Sequence, residues 1–106
     1  MSIVIKQGDT RHALQAVLKD VNNQPVDLSS AQVDFFMQSR RGVVLISREA
    51  QQTETAGEVW MVFEDGETDI PDFYRAEFKV RYLDGKIETF PHTGALKITI
   101  ESTLGG

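Results

Sequence analysis

The sequence contains no cysteine, and its 106 residues include only three prolines and one tryptophan. Without cysteine the chain can form neither a disulfide framework nor a thiolate metal site. Aspartate and glutamate outnumber lysine and arginine by 16 to 11, so the formal net charge is −5. A protein that binds the phosphate backbone needs a clustered basic surface, so this balance argues against nucleic acid as a partner.

Long apolar runs are also missing, since none approaches the ~20 residues that a membrane-spanning helix needs. The first ten residues lack the basic and long apolar regions of a secretory signal peptide, so we expect a protein made in the cytoplasm with no membrane insertion. A chain of this length can bury roughly two-thirds of the surface that its unfolded form exposes. We therefore predict one domain over residues 1–106.

The clearest pattern in the sequence lies in residues 69–91, where apolar and charged residues alternate ahead of a turn. The alternating apolar residues are Tyr74, Ala76, Phe78, Val80 and Tyr82. This period of two is typical of a half-buried β-strand. Asp84 and Gly85 favour a two-residue type I′ turn, in which both central residues have positive φ. Such a hairpin would place Arg81 opposite Glu88.

Shorter segments predict further strands. They are residues 3–6, 12–19, 32–38, 43–46, 58–63 and 96–101. Residues 12–19 also contain helix formers, but eight residues make a marginal helix and an ordinary strand. Residues 51–57 predict a loop or a weak edge strand, and Ser29 and Ser30 predict a brief helical turn. Seven to eight short strands separated by turns indicate an all-β, immunoglobulin-like antiparallel β-sandwich.

The sequence offers little material for catalysis. An active site needs a nucleophile, a base and orienting groups, yet His12 and His92 lie in no catalytic motif and no phosphate-binding loop is present. Carboxylates in residues 64–72 could ligate calcium, but their spacing does not match an EF-hand, so we interpret them as a solvated acidic loop. Tyr74 is placed as in a tyrosine corner, which is a structural role. We predict no enzyme, no cofactor and no metal site.

Apolar residues are more numerous than a single two-layer core obviously needs. Residues 43–46 have no polar face, and several other large side chains lie opposite a face that already carries core residues. The candidate patch for protein interaction consists of Phe36, Val44, Leu45, Met61, Phe63 and Phe90. We expect some of these to form an exposed patch for a partner or a second copy. The alternative is that they are exposed singly, which is normal.

Two stretches of the sequence carry motifs that resemble a known family. Residues 6–37 contain a K-x-G-D-T start, an L-x-A-x-L strand, a P-V-D-L turn and a V-x-F-x-M strand. Residues 68–91 contain a T-D-x-P loop, a Y-x-A-E-F strand, a D-G turn and an E-T-F-P ending. In this order they resemble the N-terminal domain of phage baseplate upper proteins. Asp72 departs from the pattern, because a glycine is expected there.

The resemblance implies an immunoglobulin-like β-sandwich in a siphophage tail tip, where the family's N-terminal module anchors a receptor-binding organelle. It implies a virion structural protein, made in the bacterial host cytoplasm, whose partners are other phage tail or baseplate proteins. Full-length members of the family continue into further domains, whereas this sequence ends at Gly106. The alternative function is a carbohydrate-binding or adhesin-type sandwich, which would bind glycans through exposed aromatic side chains.

Overall fold

The structure is a computed structural model that describes residues 2–11 and 13–104, and these residues form nine β-strands and no helix. The strands are β1 (Ser2–Lys6), β2 (Ala13–Val17), β3 (Gln32–Ser39), β4 (Val44–Glu49), β5 (Gln51–Gln52), β6 (Glu58–Val62), β7 (Asp72–Arg81), β8 (Ile87–Phe90) and β9 (Leu96–Glu101). They build a large sheet of order β1-β9-β7-β3-β4, with β8 also paired to β7, and a small sheet of order β2-β6-β5. The predicted all-β sandwich is confirmed, and its strand pairs are antiparallel as predicted except that β1 pairs with β9 in parallel. The count exceeds eight because the two-residue β5 is a separate strand.

The core lies between the two sheets and takes alternate residues from each strand, as the pleat requires. On the large sheet, the inward-facing residues include Val33, Phe35 and Met37 of β3, Ala76, Phe78 and Val80 of β7, and Leu96, Ile98 and Ile100 of β9. The small sheet contributes Leu14, Val59 and Met61. The rings of Phe35 and Phe78 pack at a centroid distance of 5.2 Å. Each fully buried large side chain stabilises the fold by about 1.5–3 kcal/mol.

Strand β7 is the centre of the large sheet. One of its sides pairs with β3 along the length of that strand. Its other side is shared, because residues 72–76 pair with β9 and residues 78–81 pair with β8. The segment 91–95 connects β8 to β9 and leaves the sheet at the level of Glu77. As a result, β8 and β9 lie end to end beside β7, with this segment as a break between them.

The predicted type I′ turn is wrong. Arg81 lies opposite Ile87, not Glu88, so the register is shifted by one residue. The Gly85 N–H donates to the Tyr82 carbonyl (2.9 Å) and the Tyr82 N–H donates to the Lys86 carbonyl (2.9 Å). Gly85 has φ +87° and Asp84 is not at positive φ. This is a three-residue loop, a type I turn followed by a glycine bulge.

The shift has a physical reason, because a one-residue slip exchanges the two faces of a strand. The observed register places Phe90 opposite Phe78 on the inner face and leaves Ile87 55% exposed. A ring therefore enters the core in place of a smaller aliphatic side chain. The carboxylate of Asp84 also accepts the Lys86 N–H (2.9 Å), which favours this turn.

Of the remaining sequence predictions, some are confirmed and one is wrong. Residues 12–19 do contain a strand, Ala13–Val17, although His12 lies outside the described residues. The helical turn expected at Ser29 and Ser30 is a simple turn, with Ser30 at φ +61°. Residues 51–57 begin with the short edge strand β5 and continue as a loop, as predicted.

Candidate interaction surface

The structure divides the six residues of the predicted patch. Met61, Phe63 and Phe90 are buried, with exposures of 3%, 3% and 5%, so these three candidates contribute to no exposed patch. Strand β6 turns Val59 and Met61 toward the core and leaves Trp60 and Val62 on its outer side, and Phe90 enters the core through the hairpin register. The other three residues, Phe36, Val44 and Leu45, stay accessible on or beside the large sheet.

A bulge exposes the apolar run at the start of β4. Ile46 lies opposite Met37, but Val44 and not Leu45 lies opposite Gln38, so Leu45 is the extra residue. Ile46 is buried, whereas Val43, Val44 and Leu45 are 58%, 56% and 42% exposed. Of residues 43–46, which have no polar face, only Ile46 is therefore covered by other described residues. We call Val43–Leu45 the apolar ridge.

Two aromatic rings lie on the outer face of the large sheet, the face turned away from the core. Phe36 is half-buried, and the Lys79 ammonium lies 5.4 Å from its ring centroid. Phe73 is 59% exposed, and the Arg40 guanidinium lies 5.7 Å from its ring. Arg40 also forms an ion pair with Asp72 at 3.1 Å. Each ring thus has a cationic side chain packed near it, on the face of the sheet that is turned away from the core.

Basic side chains lie between these two rings. Arg75 of β7 is directly opposite Lys97 of β9, and both are exposed. Within residues 2–11 and 13–104, neither side chain forms an ion pair or a side-chain hydrogen bond. Like charges directly opposite each other on adjacent strands destabilise a sheet. The fold therefore tolerates this pair but gains nothing from it.

The outer face is hollowed around these charges. A depression of about 300 Å³ is lined by Phe36, Val44, Arg75 and Lys79 among others, and includes the half-buried Glu77. A second depression of about 610 Å³ is lined by Phe73, Arg75 and Lys97 among others. Both are lined in part by Arg75 and Ala95, so the two depressions adjoin each other. We call this the cationic groove, with Arg40, Arg75, Lys79 and Lys97 as its basic residues and Glu77 as the acidic residue in the described lining.

The acidic loop, residues 64–69, is fixed by Arg48. The Glu67 carboxylate accepts from both terminal nitrogens of Arg48, with Nη2 to Oε1 at 2.8 Å, and also accepts the Glu64 N–H at 2.6 Å. Burial acts to raise the pKa of Glu67, but the hydrogen bonds from Arg48 and the Glu64 amide outweigh it, so this pKa lies below its ordinary value. Hydrogen bonding to Glu67 raises the pKa of Arg48 in turn.

The rest of the acidic loop faces solvent. Glu64, Asp65 and Asp69 are exposed, as the predicted solvated loop requires. Glu67 is half-buried and does not fit that prediction. Among the described residues, no three or more histidine, aspartate or glutamate side chains are grouped as metal ligands would be. The Thr68 hydroxyl is buried and donates to the Asp9 carbonyl at 2.9 Å. The loop therefore presents its carboxylates on a fixed backbone.

Tyr74 connects the acidic loop to the sheet, as the predicted tyrosine corner requires. Its hydroxyl donates to the Ile70 carbonyl at 2.6 Å. Burial raises the pKa of Tyr74, and the charge of Asp72 adds to the effect. Ile70 is 64% exposed and is held by this bond at the start of β7.

A polar cluster that the sequence did not predict lies near the end of β8. Glu88 accepts the Tyr82 hydroxyl at 2.6 Å and lies 2.7 Å from His92 Nε2. Burial, followed by the neighbouring Glu88, raises the pKa of Tyr82 well above its ordinary value. The His92 ring packs on the Phe90 ring with a centroid distance of 4.6 Å. The two rings lie beside an apolar cleft of about 270 Å³. The observed hairpin register, which differs by one residue from the predicted register, creates this cluster.

The side chains around that cleft do not form a catalytic set. They are Ala16, Val17, Leu18, Lys19, Phe78, Phe90, Pro91, His92 and Leu96. No hydroxyl or thiol lies among these residues, so His92 has no nucleophile to activate within the described lining. Its contact with Glu88 and its packing on Phe90 give it a structural role.

Comparison with known proteins adds information on fold alone. No family model matches the sequence, and no curated protein matches it. Among solved structures, the chain is similar to the crystal structure of CopC from Methylosinus trichosporium OB3b, with a TM-score of 0.59 and 12% sequence identity. The match covers 97% of this chain and 86% of that chain. At this identity the likeness supports the β-sandwich and nothing finer. The resemblance to phage baseplate upper proteins stays a prediction.

Proposed function

We propose that this chain is a non-enzymatic structural module of a phage virion, which docks a tail or baseplate receptor-binding assembly through protein–protein contacts. The observation that carries the proposal is the apolar ridge Val43–Leu45, whose three consecutive side chains are each more than 40% exposed. Apolar side chains exposed singly need no explanation, but three in succession at the edge of a sheet are a candidate contact site. The sequence resemblance to baseplate upper proteins supplies the setting.

The position of the ridge suits a docking role. It lies at the end of the β3–β4 hairpin, on an edge strand of the large sheet, so a partner can reach it without disturbing the core. Val44 also borders the depression that contains Phe36, which extends the apolar contact onto the outer face. Edge strands with exposed apolar residues are prone to pair with other chains. A partner that covers this strand in an assembly would prevent such non-specific pairing.

The alternative, a carbohydrate-binding module, has one observation in its favour. Phe73 lies open on a sheet face in a depression that also holds polar side chains, which suits stacking against a sugar ring. Binding of wall polysaccharides by isothermal titration calorimetry separates the two functions. Saturable binding that Phe73→Ala removes would favour the carbohydrate module.

Co-expression tests the docking proposal. The chain is produced together with the proteins encoded by neighbouring reading frames, and complexes are identified by size-exclusion chromatography with light scattering. We expect a complex of defined stoichiometry that Leu45→Asp abolishes. Leu83→Asp is the matched control, because Leu83 is an exposed apolar residue in a hairpin turn far along the chain from the ridge.

Two outcomes would reject the proposal. One is a chain that forms no complex with any neighbouring tail protein yet binds glycan saturably. The other is a complex that Leu45→Asp leaves intact, since the ridge would then have no part in docking. A Leu45→Asp chain that unfolds is replaced by Val43→Asp, which alters the same ridge at a residue outside the strands.

A further inference from the structure

The cationic groove contains positive charge that the fold does not use. Arg75 and Lys97 face each other without a counter-ion among the described residues, while Lys6, Arg40 and Arg81 on or near the same sheet all form ion pairs with carboxylates. Arg40 is paired with Asp72, and Glu77 can offset only one of the other three basic side chains of the groove. In a chain of net charge −5, a groove of the opposite sign is a site for a negatively charged partner surface.

The acidic loop of the same chain has the complementary chemistry. Asp65 and Asp69 are exposed and form no ion pair with any described residue, and Glu64 is only loosely associated with Arg48 at 3.6 Å. The loop lies beside the Phe73 end of the groove, because β7 begins at Asp72 directly after it. Asp69 therefore lies three residues before the Phe73 end of the groove begins at Asp72, so negative and positive groups lie close together at this end of the sheet.

Apolar side chains lie between the two charged regions. Phe73, Val4 and Ile70 are 59%, 60% and 64% exposed. Val4 and Phe73 both lie opposite Thr99 in the sheet register, so they flank one residue on the outer face. An apolar centre with charged groups around it is the usual composition of a protein interface.

We propose that this surface binds a second copy of the chain as a two-fold symmetric dimer, with the acidic loop of each protomer in the cationic groove of the other. A two-fold interface is made by the same patch on both subunits and so must be self-complementary. Adjacent acidic and basic regions around an apolar centre satisfy that requirement. The dimer rests on the proposed function, because it gives a docking module a second contact surface apart from the apolar ridge.

Charge reversal tests the dimer. The groove variant carries Arg75→Glu and Lys97→Glu, and the loop variant carries Asp65→Lys and Asp69→Lys. The control variant, Lys19→Glu with Lys86→Glu, alters two exposed lysines elsewhere and changes the net charge as much as the groove variant does. All six side chains are exposed, so each variant is expected to fold, which circular dichroism checks.

Sedimentation equilibrium measures the association. We expect the natural chain and the control variant to dimerise, with a dissociation constant that rises at least about tenfold between about 0.1 M and 1 M salt as the ion pairs are screened. The groove and loop variants are each expected to be monomeric, because like charges then meet at both contacts. An equimolar mixture of the two is expected to form a heterodimer, because opposite charges are restored at both contacts.

The proposal is overturned if the natural chain is monomeric up to about 1 mM, which corresponds to less than about 4 kcal/mol of binding. It is also overturned if the mixture stays monomeric or if the control variant loses the dimer as well. Loss of a tail-protein complex in the groove variant alone would assign the groove to that partner in place of a second copy. The docking function and the dimer are tested separately. A monomeric chain that still forms a complex sensitive to Leu45→Asp would reject only the dimer. A dimer that forms no such complex would reject only the docking function.

Discussion

The two faces of the large sheet differ in whether their side chains have partners within the fold. On the inner face, apolar residues of β3, β7 and β9 pack against the small sheet, and the polar groups that reach inward have partners, as Tyr74 has in Ile70 and Arg48 has in Glu67. On the outer face, Arg75 opposes Lys97 and Phe73 is open to solvent. The inner face is explained by folding alone, whereas the outer face carries features that folding does not require.

The largest expected effect compares neighbouring phenylalanines on opposite faces. Phe35 is 0% exposed, so Phe35→Ala should destabilise the protein by about 3–5 kcal/mol through lost burial and a cavity. Phe36 is half-buried on the outer face, so Phe36→Ala should cost only about 1 kcal/mol, including its contact with Lys79. Urea unfolding at equilibrium measures both. Equal losses would mean that the outer face is as much part of the core as the inner one.

The next effect concerns the charged pair on the inner side of β4. Arg48→Met should cost about 2–3 kcal/mol at neutral pH, because it leaves the half-buried Glu67 carboxylate without its cation. Glu67 has a lowered pKa in the folded state, so its contribution is present above the ordinary carboxyl pKa of 4.5 and is lost as the pH falls through the lowered value. The midpoint of thermal unfolding of the natural chain should therefore fall as the pH is lowered below about 4.5.

Two variants serve as controls for this pH dependence. Arg48→Met should flatten it, because the Glu67 carboxylate loses the hydrogen bonds from Arg48 and keeps only the Glu64 amide as a group that lowers its pKa. Glu64→Gln should change stability by less than about 0.5 kcal/mol, because the Glu64 side chain is 70% exposed and lies 3.6 Å from Arg48. A pH profile that Arg48→Met leaves unchanged would show that other carboxylates dominate acid unfolding.

A smaller effect is expected at the tyrosine corner. Tyr74→Phe keeps the buried ring and removes the hydroxyl that donates to Ile70, so the loss should be about 1 kcal/mol. Hydrogen exchange of the amides in residues 66–72 should also quicken, because the bond holds the loop to the sheet. If exchange accelerates throughout the core instead, the hydroxyl has a global and not a local role.

The smallest expected effect has the opposite sign. Arg75→Glu replaces a like-charge pair across β7 and β9 with an attractive one, so the isolated domain should gain about 0.2–1 kcal/mol. Urea unfolding at low protein concentration measures this gain without interference from association. Lys86→Glu, in the exposed hairpin loop, is the control and should leave the midpoint unchanged within about 0.5 kcal/mol. A destabilised Arg75→Glu chain would mean that Arg75 has a role within the fold.

The inner face could be predicted from the sequence because it depends on local periodicity. Leu96, Ile98 and Ile100 alternate with polar residues, Val33, Phe35 and Met37 do so except at Phe36, and all six are buried. The tyrosine corner at Tyr74 was predictable because its partner lies only four residues away. Local spacing and burial are sufficient for features of this kind.

The outer face and the candidate site were less predictable, because they depend on pairing between distant segments. The register of β8 is set by a loop of two or three residues, and that single-residue difference decided whether Phe90 or Ile87 was buried. Strand β6 is apolar on both sides, so its sequence did not indicate that Met61 and Phe63 face the core. Arg75 and Lys97 lie opposite each other on β7 and β9, which are separated along the chain by β8 and residues 91–95, and neither residue is distinctive in the sequence.

The central claim is that the outer face is maintained for association and not for folding. Sedimentation equilibrium of the Arg75→Glu chain beside the natural chain, at about 0.1 M salt where ion pairs are only partly screened, tests it most directly. The account predicts a dimer for the natural chain and, for the folded variant, a dissociation constant at least about tenfold higher. A variant that dimerises as tightly as the natural chain would contradict it.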